Sequence, residues 1–432
     1  MNKKRRKLNY KRVFLVLFIF IILIIGLINL INNNSKNDNL NENNSKNNDV
    51  VLSDNYENVI LDNNQDQNNN QNNNQNNSKT IAEDISININ VAGDIITHNS
   101  NFKDAYSSRD DEYDFSYVFD NIADYFERAD FNIGTLESNF AGPDYGYSNY
   151  PTFNAPEHLA IDLKELGFDV LATATNHSLD KGYNGLVNTL AYLDDAGIEH
   201  TGTYSSEEAS EVYLIKDVKG IKLGILDYDY DTNGIPIPNG KEYCINIIDK
   251  DKIKYDLDNM RALNPDVIIV VMHWGIEYRT SPSQEQRELA DFLFMNGADI
   301  VLGSHPHVLE PMEIRDIELS DGTTKQGFLI YSLGNFTSGQ YQENTRQTVL
   351  LDIKLTKHGN TGRVSLDYVH YTPVYMLNNF SGGQGAKNFR LLDIEAEIER
   401  YESGNHIIGS ELFNTLKSEV AHIYRVLGDE IN

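Results

Sequence analysis

A set of residues in this chain has the types that bind metal ions or move protons: Asp94, Glu137, Asn176, His177, His273, His305 and His307. The densest stretch is Ile300-Val-Leu-Gly-Ser-His-Pro-His307, an apolar run that ends in a glycine turn and is followed by two histidines. Neutral imidazole is the commonest protein ligand for transition metals. Pro306, between the histidines, fixes its own φ near −65° and restricts the loop before any ion arrives. Two carboxylates, one amide oxygen and several imidazoles exceed what a single ion needs. Such a mixed nitrogen and oxygen set suits Mn, Zn or Fe better than the oxygen-only sites of Mg and Ca. Two ions about 3.5–4 Å apart, bridged by a carboxylate, clamp attacking and leaving oxygens and lower the pKa of a bound water. That chemistry hydrolyses phosphate esters or amides. His177 directly follows Asn176, so the two do not share an ion. Asp180, three residues on, can orient the His177 imidazole, and a His–Asp pair suits a general acid for the leaving group. Taken singly, each residue has an ordinary reading: Asp94 as a turn or N-cap, Asn176 as a turn residue, Glu137 as a solvated acid, the histidines as loop residues. Taken together, packing gives no reason for them.

The elements that must position these residues alternate. Ile85–Val91, Phe131–Glu137, Phe168–Thr175, Ile221–Leu226, Val267–Met272, Asp299–Leu302 and Phe328–Tyr331 read as strands from period-two alternation or short apolar runs. Tyr113–Ala129, Leu159–Leu166, Gly185–Ala196, Asp251–Leu263 and Gln284–Met295 read as helices. An irregular segment rich in Tyr, Asp, Pro and Gly follows Leu226. Thr348–Leu355 and Arg363–Tyr371 read as a hairpin, and Ser410–Leu427 as a terminal helix. Strands alternating with helices give an α/β fold. Sites in open α/β sheets gather outside the carboxyl ends of strands, which is where the candidate ligands fall.

The net charge is −28, yet Lys3, Lys4, Arg5, Arg6, Lys7, Lys11 and Arg12 precede any acid, so the remainder is more negative still. Such a body repels nucleic acid and attracts divalent cations. Val13–Ile31 is an almost unbroken apolar run. At about 1.5 Å per residue it nearly crosses the ~30 Å hydrocarbon core. The basic cluster before it stays cytoplasmic and sends the rest outside. No small-x-small cleavage site follows the run, and the lone Cys244 lies far away. The expectation is an uncleaved single-pass anchor in the cell membrane, with the body on the extracellular side. Asparagine dominates residues 32–80, which cannot bury enough apolar surface to offset ordering entropy. The expected organisation is therefore a basic cytoplasmic tail (1–12), a transmembrane anchor (13–31), a disordered linker (32–80), a main domain (81–375) and a partly helical C-terminal extension (376–432).

Gly93-Asp94, Asn132-Ile-Gly-Thr-Leu-Glu137, Thr175-Asn-His-Ser-Leu-Asp-Lys-Gly182, His273-Trp-Gly-Ile-Glu-Tyr278, Gly303-Ser-His-Pro-His307 and Tyr331-Ser-Leu-Gly-Asn-Phe336 occur in this order. The ordered set resembles the CapA family of capsule and poly-γ-glutamate synthesis proteins, which is similar to the calcineurin-like metallophosphoesterases. The resemblance implies a four-layer α/β/β/α sandwich of metallophosphoesterase type with a dinuclear site at one end. It implies two divalent ions, one held by Asp94 and His307 and the other by Asn176, His273 and His305. Glu137 stands where the phosphoesterases place a bridging aspartate, and His177 where they place the acid histidine. Trp274, Glu277, Ser304 and Asn335, inside the same motifs, become candidate substrate contacts. The phosphoesterase Asp-x-His start is replaced by Asp94-Ile-Ile-Thr-His98, which separates His98 from the ligand set. The expected function is a membrane-anchored, metal-dependent hydrolase of a phosphoester or γ-glutamyl amide bond, serving capsule synthesis or export. Its expected partners are an anionic capsular polymer such as poly-γ-glutamate or another cell-envelope polymer, the membrane, and other capsule-synthesis membrane subunits, with no nucleic acid. The alternatives are a non-catalytic polymer-binding subunit of the synthesis machinery and a sugar- or peptide-binding wall protein, to which the 25 tyrosines are suited.

Overall fold

The computed structural model describes residues 82–318, 322–378, 385, 387–405 and 407–431. The expected tail, anchor and linker lie outside the described residues. Among the described residues no helix is long and apolar enough to cross a membrane.

The strands are β1 (Ile85–Ile95), β2 (Phe131–Leu136), β3 (Val170–Ala172), β4 (Glu199–Thr201), β5 (Leu214–Val218), β6 (Ile221–Asp229), β7 (Val267–His273), β8 (Ile300–Ser304), β9 (Leu309–Glu318), β10 (Thr324–Leu333), β11 (Asn335–Thr337), β12 (Gln347–Lys357), β13 (Val364–Asn378) and β14 (Phe389–Asp393). The helices that pack on them are α1 (Asn99–Ala105), α2 (Ala123–Arg128), α3 (His158–Leu166), α4 (Gly182–Ala196), α5 (Lys250–Ala262), α6 (Gln284–Met295), α7 (Ile394–Glu402) and α8 (Ser410–Leu427). One sheet runs β14-β13-β12-β1-β2-β3-β4, with β11 beside the end of β1; the other runs β9-β10-β8-β7-β6-β5. The centre of each sheet is parallel, and antiparallel hairpins flank it.

Side-chain alternation builds the layers. On β7, Val267, Ile269 and Val271 face the core shared by the two sheets, together with Ile87, Ile89 and Val91 of β1. The intervening Ile268, Val270 and Met272 face outward, against Ile253, Leu257 and Met260 of α5 and Leu289 and Leu293 of α6. On the other side, Phe102, Phe126, Leu159 and Leu163 of α1–α3 cover the first sheet with Phe168 and Phe336. Two sheets back to back, each covered outside by helices, make the expected four layers. α6 begins where its sequence says: the Ser283 hydroxyl accepts from the Gln286 amide at 3.1 Å, and the Gln286 side chain accepts from the Ser283 amide at 2.8 Å.

Three expectations are corrected. Residues 113–129 are not one helix but a 3-10 turn, Ser116–Val118, followed by the short α2. Asp114 binds the Ser116 amide and hydroxyl, and Asn121 reaches across to the Leu391 carbonyl, so local and tertiary bonds replace a helical ladder. β1 runs past Val91 to Ile95, so Asp94 lies inside the strand. There the Gly334 carbonyl sits 2.0 Å from where a Gly93 Cβ would stand, which only glycine permits. The segment after Leu226 is strand as far as Asp229, and Asp227 and Asp229 are buried. Beyond residue 375 the chain is built into the same body. β14 pairs with β13, and α8 inserts Leu416, Ile423 and Leu427 into the core between the sheets.

Candidate metal centre

Parallel pairing aligns the carboxyl ends of the central strands. Asp94 of β1 is in register with Thr135 of β2 and Asn335 of β11, while His273 of β7 is in register with Ser304 of β8 and Asp229 of β6. Glu137 follows β2 directly, and His305 and His307 follow β8. The two histidines take left-handed backbone conformations, φ 93° and 60°. Such geometry costs non-glycine residues about 1–3 kcal/mol each and persists where the surroundings enforce it, often at functional sites.

The side chains converge in two overlapping groups. One oxygen or nitrogen from each of Glu137, His273 and His305 lies within 4.8 Å of the others, and the same holds for Asp94, Glu137 and His307. Glu137 belongs to both. Its Oε1 is 3.8 Å from His273 Nε2, and its Oε2 is 3.6 Å from His307 Nδ1. His307 Nδ1 is also 3.8 Å from Asp94 Oδ2. Asn176 Oδ1 lies 3.0 Å from His273 Nε2, placing an amide oxygen in the first group. Glu137 is 1% exposed, yet neither of its oxygens has a hydrogen-bond partner; Asp94 Oδ1 and His305 Nδ1 also lack one. A buried carboxylate left unpaired carries a desolvation penalty that native structures rarely tolerate without a compensating partner.

Electrostatics agree. Burial, then the charges of Asp94, Glu277, Asp229 and Asp180, holds the Glu137 carboxyl well above its usual range. Burial raises Asp94 to about 7 against the opposing bond from the His305 amide. Burial, with His177 nearby, lowers His305 to about 3, and His273 and His307 also fall well below the usual imidazole range. The imidazoles are therefore neutral and able to donate lone pairs, and the carboxylates require positive charge. The donor set fits divalent metal ions, and Glu137 belongs to both candidate groups.

His177 and Asp180 adjoin this set. His177 Nδ1 is 2.8 Å from Asp180 Oδ2, which also accepts from the Phe153 amide at 2.6 Å. With Nδ1–H directed at the carboxylate, Nε2 is the nitrogen left to exchange a proton. The Phe153 ring meets the imidazole edge-on at 4.7 Å.

The four candidate substrate contacts fare differently. Trp274 is corrected: it is 1% exposed, its indole N–H donates to the Tyr331 carbonyl at 2.9 Å, and it packs in the helix-covered core. Ser304 and Asn335 are buried beneath the histidines. Ser304 Oγ is 2.8 Å from His273 Nδ1, away from the Nε2 that faces Glu137, and so orients that imidazole; Asn335 Oδ1 is 3.0 Å from His307 Nδ1, the same nitrogen that faces Glu137 and Asp94, so it meets the ligand side of that ring. Asn335 is itself held by donating to Gln340 Oε1 and the Thr345 carbonyl. Glu277 is exposed at the mouth. His98 belongs to neither ligand group; its Nδ1 accepts from the Gly339 amide at 3.0 Å, and it lies within electrostatic reach of His177 and His307. Sequence reasoning missed Asp227 and Asp229. Asp227 Oδ2 accepts from the Ala174 amide at 2.7 Å and so ties the sheets together, while its Oδ1 has no partner. Neither Asp229 oxygen has one in hydrogen-bonding geometry; only the Tyr230 and Asp231 amides come near. The alternation Asp227-Tyr-Asp229-Tyr, continuing the β6 period, was the available signal.

A family model described as "Bacterial capsule synthesis protein PGA_cap" matches residues 88–340. "PGA biosynthesis protein CapA" of Bacillus subtilis (strain 168) is 32% identical over 254 residues, covering 57% of this chain and 63% of that protein. "Capsule biosynthesis protein CapA" of Bacillus anthracis is 27% identical over 256 residues, covering 57% of this chain and 60% of that protein. The chain thus matches less than two thirds of either relative's length. Solved structures with a similar trace include the NAD nucleotidase of Haemophilus influenzae (TM-score 0.44, 12% identity, 81% of this chain and 58% of that one) and the calcineurin-like phosphoesterase YfkN of Bacillus subtilis (TM-score 0.39, 16% identity, 78% and 99%).

Proposed function

Because the chain belongs to the bacterial capsule synthesis protein PGA_cap family, we propose that it is a membrane-anchored, dinuclear metal-dependent hydrolase acting outside the cell on a γ-glutamyl amide or phosphoester bond of an envelope polymer. The observation that carries this is Glu137, a fully buried carboxylate with two unpartnered oxygens, shared by two ligand groups. Asp94, Glu137 and His307 would hold one ion; Glu137, Asn176, His273 and His305 would hold the other. Such ions, for which Mn, Zn or Fe suit the mixed donor set, would supply Lewis acidity and lower the pKa of bound water. The chain's own residues do the rest. Ser304 fixes the ring orientation of His273 through Nδ1, leaving Nε2 toward Glu137. Asp180 holds His177 through Nδ1 and leaves Nε2 as the nitrogen for proton transfer. In amide hydrolysis the water oxygen joins the carbonyl carbon, the C–N bond breaks, and a proton from His177 passes to the departing nitrogen. The basic tail and the apolar run at 13–31 support anchoring with the body outside.

The test uses the full chain in detergent, incubated with poly-γ-glutamate or a phosphodiester, with product analysis. Release of products that stops on chelation, and on His177→Ala with metal retained, is the expected result. An inert metal-loaded protein, together with a His273→Ala variant that supports capsule as well as the wild type, contradicts it. Polymer binding that is lost on chelation, with no turnover at all, would identify the non-catalytic subunit instead.

A further inference from the structure

The two ligand groups carry unequal donor sets. Glu137, His273 and His305 are joined by Asn176, whose Oδ1 lies 3.0 Å from His273 Nε2, the nitrogen that stands 3.8 Å from Glu137 Oε1. Asp94, Glu137 and His307 form a set of three. His98, the next histidine after Asp94, does not join them, and its Nδ1 is taken by the Gly339 amide. The atom that matches the Asn176 oxygen belongs to Asn335. Its Oδ1 is 3.0 Å from His307 Nδ1, the nitrogen that lies 3.6 Å from Glu137 Oε2 and 3.8 Å from Asp94 Oδ2. Ligand atoms held about 2.0–2.2 Å from one ion are roughly 3.0–3.6 Å from their neighbours, so these separations are close to those around a shared ion.

The fold holds this oxygen in place. β11 pairs in parallel with β1 so that Asn335 is in register with Asp94. Gly334, at φ 68°, turns the chain from β10 into β11, and its carbonyl accepts from the Asp94 amide at 2.9 Å. Asn335 is fully buried, and both its side-chain N–H bonds are committed, to Gln340 Oε1 at 2.9 Å and to the Thr345 carbonyl at 3.0 Å. The Thr345 carbonyl can only accept, so turning the amide over would set oxygen against oxygen. Oδ1 therefore stays toward His307. An imidazole nitrogen that gives its lone pair to an ion carries no proton. His307 Nδ1 in that state has no hydrogen to offer Asn335, and two lone pairs would face each other across 3.0 Å in a buried space, a costly arrangement. A cation bound by both atoms removes the conflict.

We propose that Asn335 Oδ1 is a ligand of the ion held by Asp94, Glu137 and His307, so that each ion has one asparagine oxygen beside the shared Glu137. The assignment rests on the metal-dependent reading above and completes its first ion. It makes Asn335 a metal ligand in place of a substrate contact.

The test is titration of the metal-depleted full chain in detergent with Co²⁺, followed by visible absorption and by competition with a chelator. The wild type should take up two ions. Asn335→Ala should weaken the uptake of one of them by more than about 100-fold, beyond the ~10–100-fold typical when a supporting partner is lost, and should change the absorption band of that ion at saturation. Gln340→Ala loosens the amide but leaves its oxygen. It should weaken the same ion by a smaller factor and leave the band unchanged. Asn335→Asp keeps an oxygen toward the ion and adds charge, while the Gln340 amide can turn to donate to the second oxygen. Its uptake should match or exceed that of the wild type. Two ions bound by Asn335→Ala with wild-type affinity and band overturn the assignment. So does a weakened affinity with an unchanged band, which marks a supporting role. If Asn335→Ala does not fold, Asn335→Asp decides, and a weakened ion there overturns the assignment. A wild-type chain that takes up no Co²⁺ overturns the assignment and the metal-dependent reading together. Two ions and the expected variant pattern, with no polymer cleaved, support the assignment and remove the hydrolase reading alone.

Discussion

The two ends of the sandwich treat their acids in opposite ways. At the amino ends of the central strands, Asp266 pairs with Lys357 at 2.8 Å, Asp299 with Lys325, and Asp130 with Lys219 at 2.5 Å. Asp84, where the described chain begins, accepts from the Gly359 amide at 2.9 Å and meets His358 at 3.0 Å. At the carboxyl ends, Asp94, Glu137, Asp227 and Asp229 are buried with orphaned oxygens, and among the described residues none has a Lys or Arg partner. The first arrangement is complete as it stands, with solvated ion pairs that contribute modestly to stability. The second leaves buried oxygens that bound cations would satisfy. The same fold and the same residue types thus make closed ion pairs at one end and an unpaired donor set at the other.

The largest expected break in this contrast comes from proton transfer. His177→Ala should lower turnover by about 10²–10⁴-fold, the usual worth of a positioned general acid, with both ions still bound; steady-state kinetics with metal analysis checks this. Next is the support beneath the ligands. Ser304→Ala removes the bond to His273 Nδ1 and should weaken metal affinity by about 10–100-fold, read by competition with a chelator. Glu137→Gln should act in two directions. It costs metal binding, yet it raises the stability of metal-free protein by about 1–3 kcal/mol at pH values high enough to force ionisation of the wild-type carboxyl, which burial opposes; urea unfolding at rising pH in the presence of chelator measures the gain. Lys357→Ala at the other end should cost about 1 kcal/mol or less and leave metal affinity unchanged.

The pH response separates the ends further. The folded-state pKa of Asp94, about 7, lies above its ordinary value of 3.8. The folded metal-free chain therefore binds this proton more tightly than the unfolded chain does. The stabilisation is fully present below about pH 4 and is lost as pH climbs toward 7. Bound ions would displace the proton and remove this fall, so metal affinity should rise with pH over the same window. Thermal unfolding from pH 5 to 8, with and without metal, tests both halves.

How much of this was legible in the sequence depended on the range of the interaction. The bounds of α6 and α8 follow from local signals, the Ser283–Gln286 capping box and Gly428 after Leu427. The ligand residues were visible because their types are concentrated at strand ends. Trp274 was misjudged because adjacency to His273 does not make a contact: successive strand side chains point to opposite faces, and the indole goes to the helix-covered core. The bonds of Ser304 to His273 and of Asn335 to His307 depend on which strands become neighbours, which no local pattern encodes. Asp227 and Asp229 were hidden by a composition that reads as loop, although β6 carries them into the space between the sheets.

Whether the unpaired acids at the carboxyl ends hold ions decides the role of this site. Metal analysis of the purified full chain after exhaustive dialysis, beside the Glu137→Gln variant, decides it. The expected result is two divalent transition ions per wild-type chain and at most one in the variant. A wild-type chain that retains no ion, or a variant that retains as many as the wild type, would contradict the central claim.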